Sequence, residues 1–409
     1  MASAKSGAYI WNTINSMLNA GMSAVLLLVV SRICGEDAAG NFTLAFSVAQ
    51  LMVTIGYFEL RSYQVTDINN KYSNEQYYSF KILSCLTMLM VSVIYVFSKG
   101  YSFDRIILIL LLCVLKMLDA YEEYYVTLYQ KENQLDIGAK YSSIRLFATI
   151  LAFLILVILT QNMYIASAGA IIAAVIIIWI WFEVKAKRNF SVSLSGDIKL
   201  IMGILWECMP LFIGSYLTLY VGNAPKYAID DFLELKYQTY YGILYMPSFV
   251  INLLSGFVFK PLLVDLSAYY YNNRKRYRKI VCKLFFMLAC IFLFVMISCY
   301  FFGIPLLNLL YGVNLNGYRT DLLIIILGGA VSALGIIICY MITIMRCQKW
   351  LTVSYFITAV AAGLLSPILV KNYEIRGASI GFLLYNIIRV LLFAVILFLC
   401  SKKETKTYT

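Results

Sequence analysis

Apolar runs of about twenty residues recur along the whole chain and are separated by short polar connections. An α-helix needs a run of about this length to cross the hydrocarbon core of a bilayer. The runs therefore predict about twelve membrane-spanning helices. Their approximate bounds are 9–33, 40–60, 78–97, 105–129, 141–160, 163–184, 203–229, 240–264, 282–311, 322–345, 351–369 and 378–400.

Composition agrees with this interpretation. The chain has 62% hydrophobic and 13% charged residues, whereas a soluble domain has about 45–50% apolar and about 25% charged residues. Most connections between the runs are shorter than about twenty residues, so no large domain is expected outside the bilayer. The predicted fold class is an all-α polytopic membrane protein.

The net charge of +12 is explained by membrane topology and not by nucleic-acid binding. If the N-terminus is cytoplasmic, the lysines and arginines on that side outnumber those on the other by about three to one. Both termini are therefore predicted to be cytoplasmic, and no nucleic-acid partner is expected because no basic soluble domain is present.

The position of one basic loop predicts how the chain is divided. Residues 185–199 separate six apolar runs from six others and form a predicted cytoplasmic linker. Residues 1–190 and 198–409 are predicted to form two six-helix bundles with the same orientation, as in transporters built from parallel repeats.

Several kinds of chemistry are excluded. The chain has no histidine, which removes histidine-based zinc sites, serine–histidine triads and histidine proton relays. None of its ten cysteines has CxxC spacing, and most lie in apolar runs, where they are typical of small hydrophobic side chains. No metal or cofactor is expected, and proton coupling would have to use carboxylates.

Prolines mark the second half of the chain, which contains all six of them. Proline frees a carbonyl group and kinks a helix, and such kinks are common at moving gates. Pro210, Gly214 and Pro225 make the seventh run the first candidate for a bending helix, and Pro247 is a candidate in the eighth. Ordinary structural kinks are the alternative.

Ionisable residues inside apolar runs are the strongest functional signal, because each costs roughly 2.5–3.5 kcal/mol at the centre of a span. Lys116 lies near the middle of the fourth run, with Asp119 and Glu123 on the same helical face. Arg389 lies equally deep in the twelfth run, and Glu207 lies in the seventh. An internal Lys116–Asp119 ion pair is one alternative, and a polar cavity is the other.

Three stretches resemble the polysaccharide (Wzx-type) flippases of the multidrug/oligosaccharidyl-lipid/polysaccharide (MOP) exporter superfamily. The junction after the first run (31–42, SRICGEDAAGNF) and the end of the fourth run (129–133, YQKEN) are similar to theirs. The longest likeness is 223–266, NAPKYAIDDFLELKYQTYYGILYMPSFVINLLSGFVFKPLLVDL. The resemblance implies two six-helix bundles around a cationic cavity, as in MATE/MOP proteins, and a flippase that is not an enzyme.

The implied activity is movement of oligosaccharide repeat units linked to undecaprenyl diphosphate from the cytoplasmic to the outer leaflet by alternating access. Such movement supplies the synthesis of O-antigen (lipopolysaccharide), capsule or exopolysaccharide at the bacterial inner membrane. The expected partners are this lipid substrate, membrane lipids and polysaccharide assembly proteins.

The resemblance also gives the buried charges roles. Lys116 and Arg389 would hold the diphosphate, and four further cations nearer the cavity mouths are Arg32, Arg61, Lys226 and Lys260. Three carboxylates, Asp119, Glu123 and Glu207, would bind a coupling ion, H+ or Na+, or would be ion-paired.

Two other functions stay open. A drug or small-molecule exporter of the same superfamily is one, although a basic cavity argues against it. A membrane polymerase or glycosyltransferase is the other, but such enzymes usually need a large external loop, which this chain lacks.

Overall fold

The computed structural model describes the backbone of residues 2–67, 70–190, 192–345 and 349–407. It describes the side chains of these residues apart from 2–9, 187–188, 252–265, 267–268, 271 and 401–407. Every regular element in these ranges is helical, which confirms the predicted all-α class.

The first half of the chain forms eight α-helices. They are α1 (Ala2–Cys34), α2 (Glu36–Tyr57), α3 (Leu60–Thr66), α4 (Asn74–Ser98), α5 (Phe103–Lys131), α6 (Leu135–Thr160), α7 (Met163–Ile178) and α8 (Lys187–Phe190). A π-helical segment, Trp179–Ala186, joins α7 to α8.

The second half forms six more. They are α9 (Ile198–Phe232), α10 (Leu235–Asn272), α11 (Arg274–Ser298), α12 (Ile304–Tyr311), α13 (Arg319–Ile344) and α14 (Lys349–Thr407). A second π-helical segment, Cys299–Gly303, joins α11 to α12. In α14 the backbone of Glu374 leaves the helical region (φ 50°, ψ −131°), so two helices meet at this residue.

Within the described residues, nine helical stretches are long and apolar enough to cross a membrane. One of them, Lys349–Cys400, contains the two helices that meet at Glu374. Two further helices, which are not among these nine stretches, are also long enough to cross a membrane. They are α5, with 29 residues and several central charges, and α10, with 38 residues. The described helices thus agree with the predicted set of about twelve spans.

Two compact units make up the chain, Met1–Leu219 and Tyr220–Thr409. They are called unit 1 and unit 2 below. The boundary between them falls inside α9, whereas the bundles predicted from the sequence divide at residues 185–199. That bundle division stays a prediction.

In unit 1, α5 packs against α2, α4, α6 and α7, so it lies at the centre of the unit. In unit 2, α13 packs against α10, α11 and α14. These two central helices carry or border the polar side chains described below.

The first turn of the fold explains one sequence motif. Gly35 separates α1 from α2 with φ 89°, a conformation that glycine adopts without strain. Glu36 and Asp37 follow in the first turn of α2, where negative charges stabilise the positive end of the helix dipole. The Gly-acid-acid motif therefore reverses the chain and starts the second span.

A close helix approach at Gly56 holds α2, α4 and α5 together. A Cβ atom at Gly56 would lie 2.8 Å from the Cβ of Ala120 and 3.0 Å from the Sδ of Met88. We expect Gly56→Ala to destabilise unit 1 by about 1–3 kcal/mol, because this contact is too tight to accept a methyl group.

Thermal unfolding of the purified protein in detergent measures this effect. Gly21→Ala is the matched control, since no atom lies within 4 Å of a Cβ built at Gly21. Equal melting temperatures for the two variants would contradict the close approach.

Candidate functional site

Four ionisable side chains on α5 are drawn into the interior of unit 1. Lys116, Asp119 and Glu122 are buried, with 2%, 6% and 2% of their surface exposed, and Glu123 is partly buried. They lie on one helical face because residues three or four positions apart are neighbours on a helix. The face that the sequence singled out is thus directed inward.

Ion pairs compensate the charges on this face. The Nζ of Lys116 lies 2.8 Å from Oδ2 of Asp119, and the Oδ1 of Asp119 lies 2.7 Å from Nη2 of Arg145 on α6. The Nε of Arg145 donates to Oε2 of Glu122. Lys116 therefore has the internal ion pair that the sequence analysis left open as an alternative.

The fourth carboxylate is paired with a different helix. Lys81 on α4 donates from Nζ to Oε2 of Glu123 at 3.1 Å. The same ammonium group donates to the backbone carbonyls of Gly56 and Tyr57 at 3.1 and 3.3 Å. All three hydrogens of this buried ammonium can thereby be satisfied.

Two of these cations were missed by the sequence analysis. Lys81 and Arg145 lie only a few residues inside the third and fifth runs, and both are counted among the cytoplasmic cations that give the predicted topology. The structure buries them almost completely, with 1% and 2% exposed. The positions of Lys81 and Arg145 in the sequence do not indicate that they are buried. The three acids on one face of α5 do indicate that neighbouring helices supply cations to pair with them.

A cavity of about 180 Å³ lies beside this network, inside unit 1. It is lined by Asn15, Asn19, Tyr57, Arg61, Asp119, Glu122, Glu123, Val126, Ser142, Arg145 and Leu146. Arg61, predicted near a cavity mouth, is in this wall and donates from Nε and Nη2 to Oε1 of Gln130 at 3.0 and 2.7 Å. We call this space the unit 1 cavity.

Glu207 on α9 lies apart from the unit 1 cavity. Its carboxylate accepts from the hydroxyl of Tyr63, from Nζ of Lys71 and, at 3.1 Å, from the hydroxyl of Tyr72. These donors come from α3 and from the connection between α3 and α4. The contacts therefore join the N-terminal third of α9 to α3 and to the connection that follows it.

The same connection is held by Asp67. Slight burial would by itself raise the pKa of the Asp67 carboxyl. Hydrogen bonds from the backbone N–H of Lys71 and the hydroxyl of Tyr77, at 2.9 and 2.7 Å, outweigh burial and lower this pKa below its ordinary value. Asp67 is thus a stable anion at neutral pH.

Arg389 is the central cation of unit 2 and is 9% exposed. Its Nη2 donates to Oδ1 of Asn386 at 2.7 Å and to Oγ of Ser332 on α13 at 2.9 Å. Its Nε has no hydrogen-bond partner within the described part of the chain. No carboxylate among the described side chains is ion-paired with it, and its two printed hydrogen bonds go to neutral groups.

Unit 2 contains a second cation, Lys226 on α9, close to two tyrosines of α10. The Nζ of Lys226 lies 5.2 Å from the centre of the Tyr245 ring, a cation–π contact. Tyr245 stacks on Tyr241, whose buried hydroxyl has no hydrogen-bond partner among the residues with described side chains. Beside Arg389, Gly335 leaves room: a Cβ there would lie 3.6 Å from Nε.

The remaining predicted residues are placed as follows. Arg32 is exposed in the last turn of α1, and the side chain of Lys260 lies outside the described residues. Pro210, Gly214 and Pro225 are within α9, which continues as one helix through them, and Pro247 is within α10.

The two groups of cations thus differ in their chemistry. Lys81, Lys116 and Arg145 in unit 1 are neutralised by acids, whereas Arg389 has no carboxylate partner, and its Nε no acceptor, among the side chains that the structure describes. In the described part of the chain no cluster of three or more Cys, Asp or Glu side chains could hold a metal ion. An anion is therefore better accommodated in unit 2 than in unit 1.

Comparison with known proteins places this fold. No protein-family model matches the chain. It is 23% identical over 377 residues to the capsular polysaccharide biosynthesis protein CapF of Staphylococcus aureus, covering 89% of this chain and 92% of that protein.

Solved structures of transporters are also similar. An inward-facing multidrug resistance MATE family transporter of the MOP superfamily matches with a TM-score of 0.72 at 13% identity, over 97% of this chain and 99% of that one. The lipid II flippase MurJ, in an inward closed conformation, matches with a TM-score of 0.60 at 14% identity, over 96% of this chain and 86% of that one. The chain therefore has the all-α fold of these multi-pass membrane transporters, and its relative CapF is named for polysaccharide biosynthesis, in agreement with the resemblance noted in the sequence.

Proposed function

We propose that this chain is a flippase that moves oligosaccharide repeat units linked to undecaprenyl diphosphate from the cytoplasmic to the outer leaflet, by alternating access. The observation that carries the proposal is Arg389, a deeply placed arginine without a carboxylate partner among the described side chains. A buried cation of this kind is costly in a membrane protein and marks a binding site for an anionic group.

The chemistry of the arginine suits a diphosphate. A guanidinium group is planar, stays charged, and donates to phosphate oxygens in a fixed fork. Asn386 and Ser332 hold one end of Arg389, while its Nε has an unused donor. Lys226 is the second cation that we assign to the headgroup, with Arg32, Arg61 and Lys260 nearer the entrances.

The relatives support a saccharide-carrying lipid as the substrate. CapF is a protein of capsular polysaccharide biosynthesis, and MurJ is a lipid II flippase. We infer that the chain supplies the synthesis of a surface polysaccharide such as O-antigen, capsule or exopolysaccharide at the bacterial inner membrane. Both termini would be cytoplasmic, and polysaccharide assembly proteins would be neighbours.

We assign ion coupling to Asp119, Glu123 and Glu207, with H+ or Na+ as the coupling ion. Asp119 and Glu123 are each bound to a buried cation, and Glu207 is bound to Lys71. A coupling ion would therefore have to replace the cation that is bound to the carboxylate it enters. At Asp119 that cation is Lys116, which would then need a different partner. Bending of α9 at Pro210, Gly214 and Pro225, and of α10 at Pro247, would accompany the transport cycle.

Reconstitution of the purified chain tests the proposal. Vesicles would contain undecaprenyl diphosphate carrying a sugar with a nitrobenzoxadiazole label, and dithionite outside would report the label that reaches the outer leaflet. We expect the chain to speed exchange of this lipid between leaflets over empty vesicles, with pH or Na+ gradients as added arms. No acceleration under any gradient would contradict the proposal.

A second candidate is supported by one comparison, the TM-score of 0.72 to a multidrug resistance transporter. A drug exporter would move a cationic dye such as ethidium across the same vesicles and would leave the labelled lipid in place. The similar structures reported above are transporters and flippases, which argues against a membrane polymerase or glycosyltransferase.

A further inference from the structure

The wall of the unit 1 cavity contains two unused polar atoms of opposite kind. Considering the described residues, Arg145 Nη1 is a hydrogen-bond donor without a partner, and Glu122 Oε1 is an acceptor without one. Both residues are 2% exposed and both line the cavity. Burying an unsatisfied polar group costs about 1–3 kcal/mol, so the pair indicates that something else satisfies it.

The charges of the wall disfavour an ion as that partner. Both oxygens of Asp119 are already bound, one to Lys116 and one to Arg145. A further cation would face the guanidinium groups of Arg61 and Arg145, and an anion would face the carboxylates of the same wall. While these ion pairs are intact, the cavity therefore favours a neutral, polar occupant.

A hydroxyl group has the required chemistry because it donates one hydrogen bond and accepts others. One hydroxyl can donate to Glu122 Oε1 while it accepts from Arg145 Nη1. The rest of the wall offers further polar partners: Asn15, which donates to Ser142 Oγ at 2.7 Å, and Asn19. A row of such groups matches a molecule that carries several hydroxyls.

The size of the cavity narrows the choice. Its volume of about 180 Å³ is many times the roughly 10–15 Å³ that admits a single water molecule. It is below the roughly 300 Å³ at which pockets for drug-sized ligands begin. One sugar ring fits this range better than a whole oligosaccharide.

We propose that the unit 1 cavity is a saccharide subsite that takes one neutral sugar residue of the transported lipid-linked oligosaccharide. The proposal rests on the proposed function for the identity of the substrate.

Asn19 allows a test that spares the buried network. It lines the cavity but is exposed, so Asn19→Phe should narrow the cavity without disturbing folding. Met17→Phe is the matched control, because Met17 is on the same helix, is 57% exposed and is outside the cavity wall. Asn19→Ala removes the amide and adds no bulk.

The probes are the lipid-linked oligosaccharide that accumulates when the gene is deleted in its own host, undecaprenyl diphosphate, and undecaprenol. Native mass spectrometry of the purified full chain would give the affinity for each. We expect Asn19→Phe to weaken binding of the oligosaccharide form by about tenfold, equivalent to about 1.4 kcal/mol. Binding of bare undecaprenyl diphosphate, and both affinities in Met17→Phe, should not change.

Two results would overturn the saccharide subsite. If Asn19→Phe weakened the binding of both diphosphate lipids equally, the cavity would not contact the sugar. If it weakened the binding of neither lipid, the cavity would hold solvent only. Failure of the proposed function has a different signature, since the wild-type chain would then bind undecaprenol as well as undecaprenyl diphosphate. The sugar-dependent difference in Asn19→Phe would still decide the subsite in that case.

Discussion

Replacing Arg389 with glutamine should slow translocation of the labelled lipid by at least about tenfold while the protein still folds. Glutamine keeps hydrogen-bonding capacity towards Ser332 and Asn386 but has no charge and no guanidinium fork. A hydrogen bond to a charged group contributes about 1.5–3 kcal/mol, so loss of one or more such bonds predicts a fall of roughly 10- to 150-fold or more. The initial rate of dithionite-accessible label in reconstituted vesicles measures this.

Two further variants sharpen the test of Arg389. Arg389→Lys keeps the charge without the fork and should retain a part of the activity. Lys371→Gln removes an exposed cation of the same unit and should leave the rate unchanged. Normal translocation by Arg389→Gln, at an equal amount of reconstituted protein, would disprove the headgroup site.

The second large effect is expected on stability, from Arg145→Leu. This substitution leaves Glu122 without its cation and leaves Asp119 with Lys116 alone. Removing one partner of a buried ion pair costs about 3–5 kcal/mol, because the remaining charge stays desolvated. Thermal unfolding of the purified protein in detergent should therefore show a much lower melting temperature.

A double variant separates lost charge balance from lost packing. Arg145→Leu combined with Glu122→Gln should recover part of the stability, because no unpaired carboxylate remains at position 122. Lys140→Leu removes an exposed cation from the same helix, together with its cation–π contact to Trp11 at 5.8 Å, and should change the stability by no more than about 1 kcal/mol. A single variant as stable as the Lys140 control would contradict the ion network.

Much of the fold follows from local properties that a sequence displays. The apolar runs predict the helices, and the spacing of Lys116, Asp119 and Glu123 predicts which face of α5 is directed inward. Gly35 and the two acids after it matched the turn that starts α2. Such features depend on residues close together along the chain.

The partners of the buried charges could not be predicted in the same way. Ser332 reaches Arg389 from a different helix, and Arg145 and Lys81 reach the acids of α5 from α6 and α4. Asn386 is an exception, because it precedes Arg389 by less than one turn on the same helix and the spacing alone predicts that the two side chains are neighbours. Interhelical partners depend on rotation and depth of packing, which one sequence does not specify.

The position of α5 between two helices that carry its counter-charges has a consequence for biogenesis. Each unpaired charge at the centre of an inserting helix costs roughly 2.5–3.5 kcal/mol. Lys116 and Asp119 pair within α5, but Glu122 must wait for Arg145 of α6, and Glu123 depends on Lys81 of α4. The helices α4, α5 and α6 should therefore leave the insertion machinery for the lipid as a group of three, and a ribosome stalled before α6 should leave α5 poorly inserted.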